Sequence, residues 1–479
     1  MAGRTPSRVG LPVRPVAALI LVALAAVVVL VPGGDAVTAD PPGPTLSPAP
    51  AAPGTRRDSP SPADAPAIGW VAVDGDDDAA GTAGDPWRTP RRAIESGTGR
   101  IELLPGRHDG FVVTRPGLVV SGAGRDSTTV VGQVLVVADD VDIRDLAITG
   151  VDEPHEAGLL VDGAARVRLT DLHVHDNAFG IHLRDAPDTT IERNEITGNG
   201  AGIEVHGQSA GTSITRNRIH HNDRAVDASR GANAIVFYHS EGRVEVRDNE
   251  LYSNYNPSPE SDSDAGGGAF ELYGARDVVI VDNRIWDSSI LETGTEDGRS
   301  CAGLVFMRNV AWREPSSTIQ EGIVLRCAED GLVAHNTIDG FDRFAVDIIH
   351  RAGPFAGSVE GLRVVNNIVV HGRAYSIDNE MPASVVIDYN LVWNPQSDAR
   401  HGEYLAYVAA HGNTRSAEDL RQWGLDRHGM VADPRFVSRA EHDYQLQPDS
   451  PGIDLGIVLS VGQDEVADGL PDVGRWEAR

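Results

Sequence analysis

The sequence predicts an all-β solenoid of about eleven or twelve stacked rungs of short parallel strands. A phrase recurs along the chain, with an apolar residue, two polar residues, an asparagine, a polar residue and an apolar residue, as at Ile214, Asn217 and Ile219. Its copies follow one another at intervals of 23 to 34 residues. Each copy contains three short alternating apolar segments bounded by Gly, Asn or Asp, which are too short for helices and are typical of strands.

One rung is clearest around Asn217, where strands are predicted at residues 202–205, 213–215 and 218–220. Strands of successive rungs would pair at about 4.8 Å, so that inward Ile and Val form the core of a parallel β-helix. The asparagine is expected at the turn between the second and third strands, where its amide bonds to turn backbone and to the next asparagine. We therefore assign it a structural role. The copies centre on Asn194, Asn217, Asn249, Asn283, Asn309, Asn336, Asn367 and Asn390, with Asp145 and Asp171 expected in the same place of two earlier copies.

The N-terminal part has a different composition. Arg4, Arg8 and Arg14 precede an apolar run over residues 16–31, which predicts a signal peptide or a single membrane anchor within residues 1–39. A proline-rich linker is predicted over 40–67, the parallel β-helix over 68–395 and an irregular C-terminal capping region over 396–479. The protein is therefore expected to be secreted, or to be held at the extracellular face of the membrane through its N-terminal segment only. It is expected to be a monomer.

The two cysteines follow from the same interpretation. Cys301 and Cys327 are 26 residues apart, about one rung, and an exported protein meets oxidising conditions. The Cα atoms of neighbouring rungs lie within the separation that a disulfide can bridge. We therefore predict a disulfide bond between the two cysteines.

The charge balance restricts the partners. All 41 basic residues are arginine, against 70 acidic residues, and the formal net charge is −29. Such a surface repels nucleic acid, whose binding depends on neutralised phosphates, so no nucleic-acid partner is expected. No lysine is available as a catalytic base. A polyanionic substrate would need a local arginine patch or bridging cations.

Irregular spacing marks a candidate site. The intervals from Asn217 to Asn249 and from Asn249 to Asn283 are 32 and 34 residues, which implies turns enlarged by about 9 to 11 residues over the shortest rungs. Each enlarged turn flanks the first strand of its rung. Insertions gathered on one side of a repeat protein are a usual place for binding.

Outward positions of the first strands carry ionisable side chains beside these turns. In the pattern Gly-Ile-x-apolar, the x side chain points away from the core. Carboxylates on adjacent rungs would lie roughly 5 Å apart and those on alternate rungs roughly 10 Å apart, which brackets the separations in retaining and inverting glycosidases. Stacked carboxylates would also attract a cation such as Ca²⁺. The predicted column reads Leu160, His182, Glu204, Asp227, Glu271, Leu291, Val324, Asp347 and Asp378.

From this column we predict Glu204, Asp227 and Glu271 as acid, base or cation-binding groups, with His182 and His239 beside them. The rung of Asp227 has an alternative, in which residues 234–237 form the strand instead. The competing interpretation is that these side chains are only the solvated surface of an acidic protein.

Two stretches carry a family resemblance. IGWVAVDGDDDAAGTAGDPWRTPRRAI, from Ile68, resembles the opening motif of many secreted right-handed parallel β-helix proteins of the pectate-lyase-like superfamily. DYQLQPDSPGIDLG, followed by DGLPDVGRWE, resembles the closing motif of the same proteins, including polysaccharide lyase families 6 and 9. The closing motif is expected to cover the last rung. The resemblance implies a right-handed solenoid and a polysaccharide partner.

The resemblance carries no catalytic residue over to this chain. The lyases of families 6 and 9 use a lysine base, which is absent here. Cleavage of glycosidic bonds by groove carboxylates, as in a glycoside hydrolase, is therefore favoured over lysine-dependent elimination. The alternative is a non-catalytic glycan-binding or structural β-helix protein of the cell surface.

Overall fold

The structure is a computed structural model of the 479-residue chain. It describes residues 67–224, 232–255, 267–295, 298–314, 317, 321–350, 353, 355–379, 381–396, 404–459 and 471–475. The predicted signal or anchor segment, nearly all of the predicted linker and Asp227 lie outside these residues. Within them, no helix is both long enough and apolar enough to cross a membrane.

Short strands pair in parallel from rung to rung, as the repeat predicts. The second strands of the described rungs form one thirteen-stranded sheet. Its strands are Gly69–Val71, Arg100–Leu103, Val119–Gly122, Asp142–Arg144, Arg168–Thr170, Thr190–Glu192, Ser213–Thr215, Val244–Arg247, Val278–Val281, Val305–Met307, Leu332–Ala334, Arg363–Val365 and Val386–Asp388.

The third strands form a second parallel column, which opens with two longer strands that also reach the first-strand column. Its strands are Gly106–Val113, Thr128–Val136, Ala147–Thr149, His173–His175, Glu195–Thr197, Arg218–His220, Glu250–Tyr252, Arg284–Trp286, Val310–Trp312, Thr337–Asp339, Ile368–Val370, Leu391–Trp393 and Met430–Val431.

The first strands form the third column, which carries the predicted site. Its strands are Ala157–Asp162, Phe179–Arg184, Ala201–Gln208, Asn233–Glu241, Gly268–Tyr273, Ser289–Gly294, Glu321–Leu325, Phe344–Ile348, Tyr375–Ile377 and Ala406–Val408, with Gly412–Thr414 added antiparallel to the last. Inward side chains of all three columns meet in one core. In a single rung, Ile203, Ile214 and Ile219 are fully buried.

The remaining regular elements are few within the described residues. A helix at Pro90–Ser96 begins after Thr89, whose side chain accepts a hydrogen bond from the Arg92 backbone N–H. A second helix spans Ala417–Gln422, a 3₁₀ turn spans Arg439–Glu441, and Phe436–Ser438 pairs antiparallel with Asp443–Leu446.

The asparagine ladder runs through the turn between the second and third strands, as predicted. Asn217 Nδ2 donates to Asn249 Oδ1 at 3.0 Å and to the Ile191 carbonyl at 2.9 Å. The Asn217 backbone N–H donates to the same Asn249 Oδ1 at 2.9 Å. Such bonds connect the asparagines from Asn194 to Asn390, so that each buried amide satisfies polar groups of its neighbours.

The start of the ladder differs from the prediction. Asp145 and Asp171 lie one residue before the ladder position, with left-handed φ values of 59° and 56°. The ladder position itself is taken by Leu146 and Leu172, which are fully buried. Aspartate tolerates the left-handed conformation that this turn requires, which explains the displaced prediction. The amide ladder therefore begins at Asn194.

A second ladder, which the sequence analysis did not predict, occupies the turn between the third and first strands. Each amide donates to the next side-chain oxygen at 2.9 to 3.1 Å, and the last backbone N–H donates to a serine hydroxyl. In the rungs of Asn177, Asn199 and Ser288 the first strand begins one or two residues later, at Phe179, Ala201 and Ser289. The members of the second ladder are Asn177, Asn199, Asn222, Asn254 and Ser288.

The first ladder continues one step beyond Asn390, where the sequence pattern predicts that the rungs stop. Asn390 Nδ2 donates to Asp426 Oδ1 at 2.9 Å, and the Tyr375 hydroxyl donates to Asp426 Oδ2 at 2.7 Å. Burial raises the pKa of Asp426 to about 6, although the hydrogen bonds from Tyr375 and Asn390 oppose the shift. A carboxyl group thus ends a ladder made of amides.

This carboxyl group predicts a pH-dependent stability. Between the unfolded pKa of about 3.9 and the folded pKa of about 6, the folded protein holds a proton that the unfolded chain releases. The contribution of Asp426 is therefore full below pH 4 and is lost as the pH rises through 6, by about 3 kcal/mol. Asp426→Asn should match the wild type at pH 4 and exceed its free energy of unfolding by about 2 to 3 kcal/mol at pH 8. Urea denaturation at both pH values, with exposed Asp433→Asn as control, tests this; an equal difference at the two pH values would contradict it.

The disulfide prediction is confirmed. Cys301 and Cys327 are bonded, with their Cα atoms 5.7 Å apart. The bond joins adjacent rungs, since Ala302 and Glu329 form a parallel bridge beside it.

The C-terminal segment lies along the flank of the solenoid instead of over its last rung. We call residues 432–459 and 471–475 the return segment. Arg439 forms two hydrogen bonds with Asp339, at 2.7 and 2.8 Å. Asn366 Nδ2 donates to the Ile457 carbonyl at 2.8 Å, and Arg475 donates to the Asp282 carbonyl at 3.1 Å. The return segment therefore reaches a residue 193 positions earlier in the chain.

Candidate active site and imidazole cluster

Strand register fixes the outward column of the first strands. His182 pairs with Glu204, Glu204 with Val236, Val236 with Glu271 and Glu271 with Glu292. We call the outward surface of this column the first-strand face. It continues through Val324, Asp347, Ser376 and Tyr407.

The alternative strand in the rung after Glu204 is the one that forms. Strand Asn233–Glu241 pairs with Ala201–Gln208, which puts Val236 in the column position. Asp227 lies outside the described residues, so its predicted role stays a prediction.

Two other column positions were predicted wrongly. Leu291 points into the core and is 1% exposed, and Glu292 takes the outward place. Ser376, instead of Asp378, pairs with Asp347. A one-residue error in a strand exchanges the inward and outward faces, which explains the first of these errors.

Three predicted site residues gather around His206 at the start of the column. His182 Nε2 lies 3.9 Å from Glu204 Oε1, and Glu204 is only 7% exposed. His206 follows Glu204 by two residues and therefore points to the same side of the sheet. Its ring is nearly parallel to that of His182, with 6.5 Å between centroids. One donor atom each of His182, Glu204 and His206 lies within 4.8 Å of the other two.

His239 reaches this group through a β-bulge. His206 pairs with Tyr238, but Gln208 pairs with Glu241, so the later strand contains one extra residue. His239 lies in that interval with a left-handed φ of 49°. Its ring centroid is 5.7 Å from that of His206. Bulges re-aim side chains next to functional sites, and this one turns His239 toward the others. We call His182, Glu204, His206 and His239 the imidazole cluster.

Burial sets the charge state of His206. Desolvation lowers the pKa of His206, and the nearby His182 and His239 lower it further, while the negative charge of Glu204 partly opposes them. At neutral pH the His206 ring is accordingly uncharged, with a lone pair on one nitrogen.

Glu271 does not join the imidazole cluster. It lies two strands beyond Glu204, about 10 Å along the solenoid, with buried Val236 between them. Its register partner is Glu292 on the adjacent strand. Glu292 Oε1 accepts hydrogen bonds from the Tyr273 hydroxyl, at 3.0 Å, and from the Arg326 guanidinium. We call Glu271 and Glu292 the carboxylate pair.

Tyr273 keeps its proton beside the carboxylate pair. Burial and the adjacent Glu271 and Glu292 raise the pKa of Tyr273 well above its usual range, so its hydroxyl remains a donor. The two glutamates line one small cavity of about 10 Å³, which is also lined by Gly268, Ser289 and Glu321.

A larger pocket lies further along the same face. It has a volume of about 340 Å³ and is lined by Asp347, Ser376, Asp378, Arg343, Tyr404 and Tyr407, among others. Burial, together with the negative charge of Asp378, raises the pKa of Asp347, against a hydrogen bond from Ser376. Aromatic and polar side chains around such a volume are typical of small-ligand sites.

The face of the third strands carries a stack of aromatic rings. Tyr252, Trp286 and Trp312 stack with centroid distances of 4.2 and 4.9 Å and nearly parallel planes. His442 of the return segment stacks on Trp312. Because the ring faces cover one another, this stack contributes to stability and leaves mainly ring edges for any ligand.

Three functional candidates were not predicted from the sequence, although two of them have a signal there. His206 shares the parity of Glu204 in the segment Gly202–His206, GIEVH. Glu292 appears beneath Glu271 when GAFELY is aligned with SILETG. Arg326 gave no local signal, because its contact with Glu292 joins residues 34 positions apart.

Comparison with known proteins defines the fold. Residues 131–285 match a family described as "Right handed beta helix region". Together with the parallel rungs, this match shows a right-handed parallel β-helix. No curated protein matches its sequence.

Several solved structures share this architecture at low identity. Pectate lyase Pel9A is 13% identical, with a TM-score of 0.46 over 86% of this chain and 96% of that one. XylC in complex with xylose is 10% identical, with a TM-score of 0.49 over 77% and 87%. The GH87 alpha-1,3-glucanase of Streptomyces thermodiastaticus is 15% identical, with a TM-score of 0.43 over 71% and 65%. At these values the likeness concerns the fold alone.

Proposed function

We propose that the protein is a glycoside hydrolase that binds an extended polysaccharide along the first-strand face and cleaves it at the carboxylate pair. The observation that carries this proposal is the register of Glu271 with Glu292 on adjacent strands. Adjacent strands are about 4.8 Å apart, close to the carboxyl separation of about 5 to 5.5 Å in retaining glycosidases.

The surroundings of the two carboxyl groups suggest their roles. Tyr273 and Arg326 hold the Glu292 carboxylate in one orientation, which suits a nucleophile. Glu292 would form a bond to the anomeric carbon while Glu271 gives its proton to the leaving oxygen and the glycosidic bond breaks. Water would then attack the same carbon, Glu271 would take its proton, and Glu292 would be released.

Charge on this face favours an uncharged polysaccharide. Arg326 is paired with Glu292, Arg343 with Glu321 at 2.7 Å, and Arg184 with Asp162 at 2.6 Å. These arginines are neutralised locally, and the whole chain carries a net charge of −29. A polyuronate would therefore meet repulsion along most of its length.

The length of the face favours a polymer over a small sugar. The pocket around Asp347 and Tyr407 begins two rungs beyond Glu292, about 10 Å along the same column. The rise of one rung is close to the length of one sugar unit in an extended glycan. A chain bound over the carboxylate pair would therefore reach this pocket within a few units.

A glycan panel tests the proposal. The full chain is incubated with neutral glucans, xylans, mannans and galactans and with acidic pectate and alginate. Reducing ends and the ultraviolet absorbance of unsaturated products are then measured. We expect reducing ends from at least one neutral glycan, without that absorbance. Unsaturated products would indicate elimination and overturn the proposal, and binding without any product would favour a non-catalytic glycan-binding protein.

A further inference from the structure

The imidazole cluster has the donor set of a transition-metal site. Two imidazoles and one carboxylate are the protein ligands of many zinc and non-haem iron centres, which leave further positions open. In this protein the three donors come from two adjacent strands, in direct register at His182 and Glu204. The backbone under them is part of a continuous parallel sheet, which is a rigid support for a metal site.

The distances are near those that a metal requires. Zinc–ligand bonds of about 2.0 to 2.1 Å place tetrahedral ligands about 3.3 Å apart. The three donor atoms lie within 4.8 Å of one another, and His182 Nε2 is 3.9 Å from Glu204 Oε1. Side-chain torsions of His182 and His206 can close a gap of this size without movement of the strands.

A separate observation points to the same place. The extra residue in strand Asn233–Glu241 interrupts the alternation of inward and outward side chains, and His239 lies at this bulge with a φ of 49°. Here the bulge places a third imidazole 5.7 Å from His206, ring centroid to ring centroid.

We propose that His182, Glu204 and His206 bind one divalent transition-metal ion, Zn²⁺ in the first instance, with His239 as a supporting or fourth ligand. The donors argue against the Ca²⁺ considered for this face, because Ca²⁺ takes oxygen ligands almost exclusively. The carboxylate pair lies two strands away and takes no part in this site. The inference therefore goes beyond the proposed function and does not depend on glycan cleavage.

Metal binding to the full, tag-free chain after chelator treatment tests the inference. Isothermal titration with Zn²⁺ should give one site per chain, and Ca²⁺ should give no heat over the same concentration range. His206→Ala and Glu204→Gln should each weaken Zn²⁺ binding by at least about a hundredfold, since even outer-shell partners are worth about 10- to 100-fold. His239→Ala should weaken it by about tenfold or more.

A matched control separates the site from general histidine binding. His428 is well exposed and is paired with one carboxylate, that of Asp388. The His428→Ala variant should therefore bind Zn²⁺ as the wild type does. Circular dichroism verifies that each variant is folded, and Glu204→Gln keeps the shape of the buried side chain if His206→Ala does not fold. No zinc binding by the wild type, equal binding by the cluster variants, or an equal loss in His428→Ala would overturn the inference.

Discussion

Glu292→Gln is expected to lower kcat for glycan hydrolysis by about a thousandfold or more, because the amide cannot form the glycosyl ester. Glu271→Gln is expected to lower kcat by about 10²- to 10⁴-fold, the usual contribution of a general acid. The two losses should respond differently to the substrate. An aryl glycoside with a good leaving group needs little protonation, so it should restore the rate of Glu271→Gln but not that of Glu292→Gln.

Glu321→Gln is the matched control for both variants. Glu321 lines the same small cavity and is paired with Arg343, but its register partner is Phe344 and not a member of the carboxylate pair. The kcat of Glu321→Gln should remain within about tenfold of the wild-type value.

The product should retain the anomeric configuration of the substrate, because two carboxylates on adjacent rungs have the separation of a retaining enzyme. An inverted product, or full activity in both carboxylate variants, would show that this pair is not the catalytic one.

Asn283→Ala is expected to lower the free energy of unfolding by about 3 to 5 kcal/mol, since each buried polar group left unsatisfied costs about 1 to 3 kcal/mol. Asn283 is fully buried, and its Oδ1 accepts from both the backbone N–H and the Nδ2 of Asn249, each at 3.0 Å. Its own Nδ2 donates to Asn309 Oδ1 at 3.0 Å and to two backbone carbonyls. Alanine would remove all five of these bonds and leave a cavity.

Urea denaturation followed by circular dichroism measures this effect. Asn413→Ala, at an exposed position in the hairpin of Ala406–Val408 and Gly412–Thr414, should change the free energy of unfolding by no more than about 0.5 kcal/mol. A change below about 1 kcal/mol for Asn283→Ala would mean that water or backbone shifts replace the lost bonds.

The fold was predictable because its signals repeat. The asparagine at Asn217 and its counterparts is fixed by a turn that every rung must make, and the inward Ile214 and Ile219 report the core directly. The second ladder escaped notice because its members are fewer and end at Ser288, whose hydroxyl replaces an amide. Its signal, an asparagine shortly after each third strand, is visible only once those strands are placed.

The candidate site was predictable only in part, for a geometric reason. Inward and outward positions alternate, so an error of one residue replaced Glu292 by the buried Leu291. His239 was selected beside the column, but the bulge that aims it at His206 depends on the register between two strands. Contacts set by the rung length, such as Arg326 with Glu292, have no local pattern in the sequence.

The return segment has a consequence for how the molecule unfolds. In a solenoid each rung contacts its neighbours, so the end rungs can open one at a time, as in a chain of weakly coupled units. Here Arg439, Ile457 and Arg475 tie the C-terminal part of the chain to Asp339, Asn366 and Asp282. Opening the last rungs therefore requires release of contacts that lie several rungs further back. The segment couples these rungs into one cooperative unit and opposes stepwise fraying from the C-terminal end.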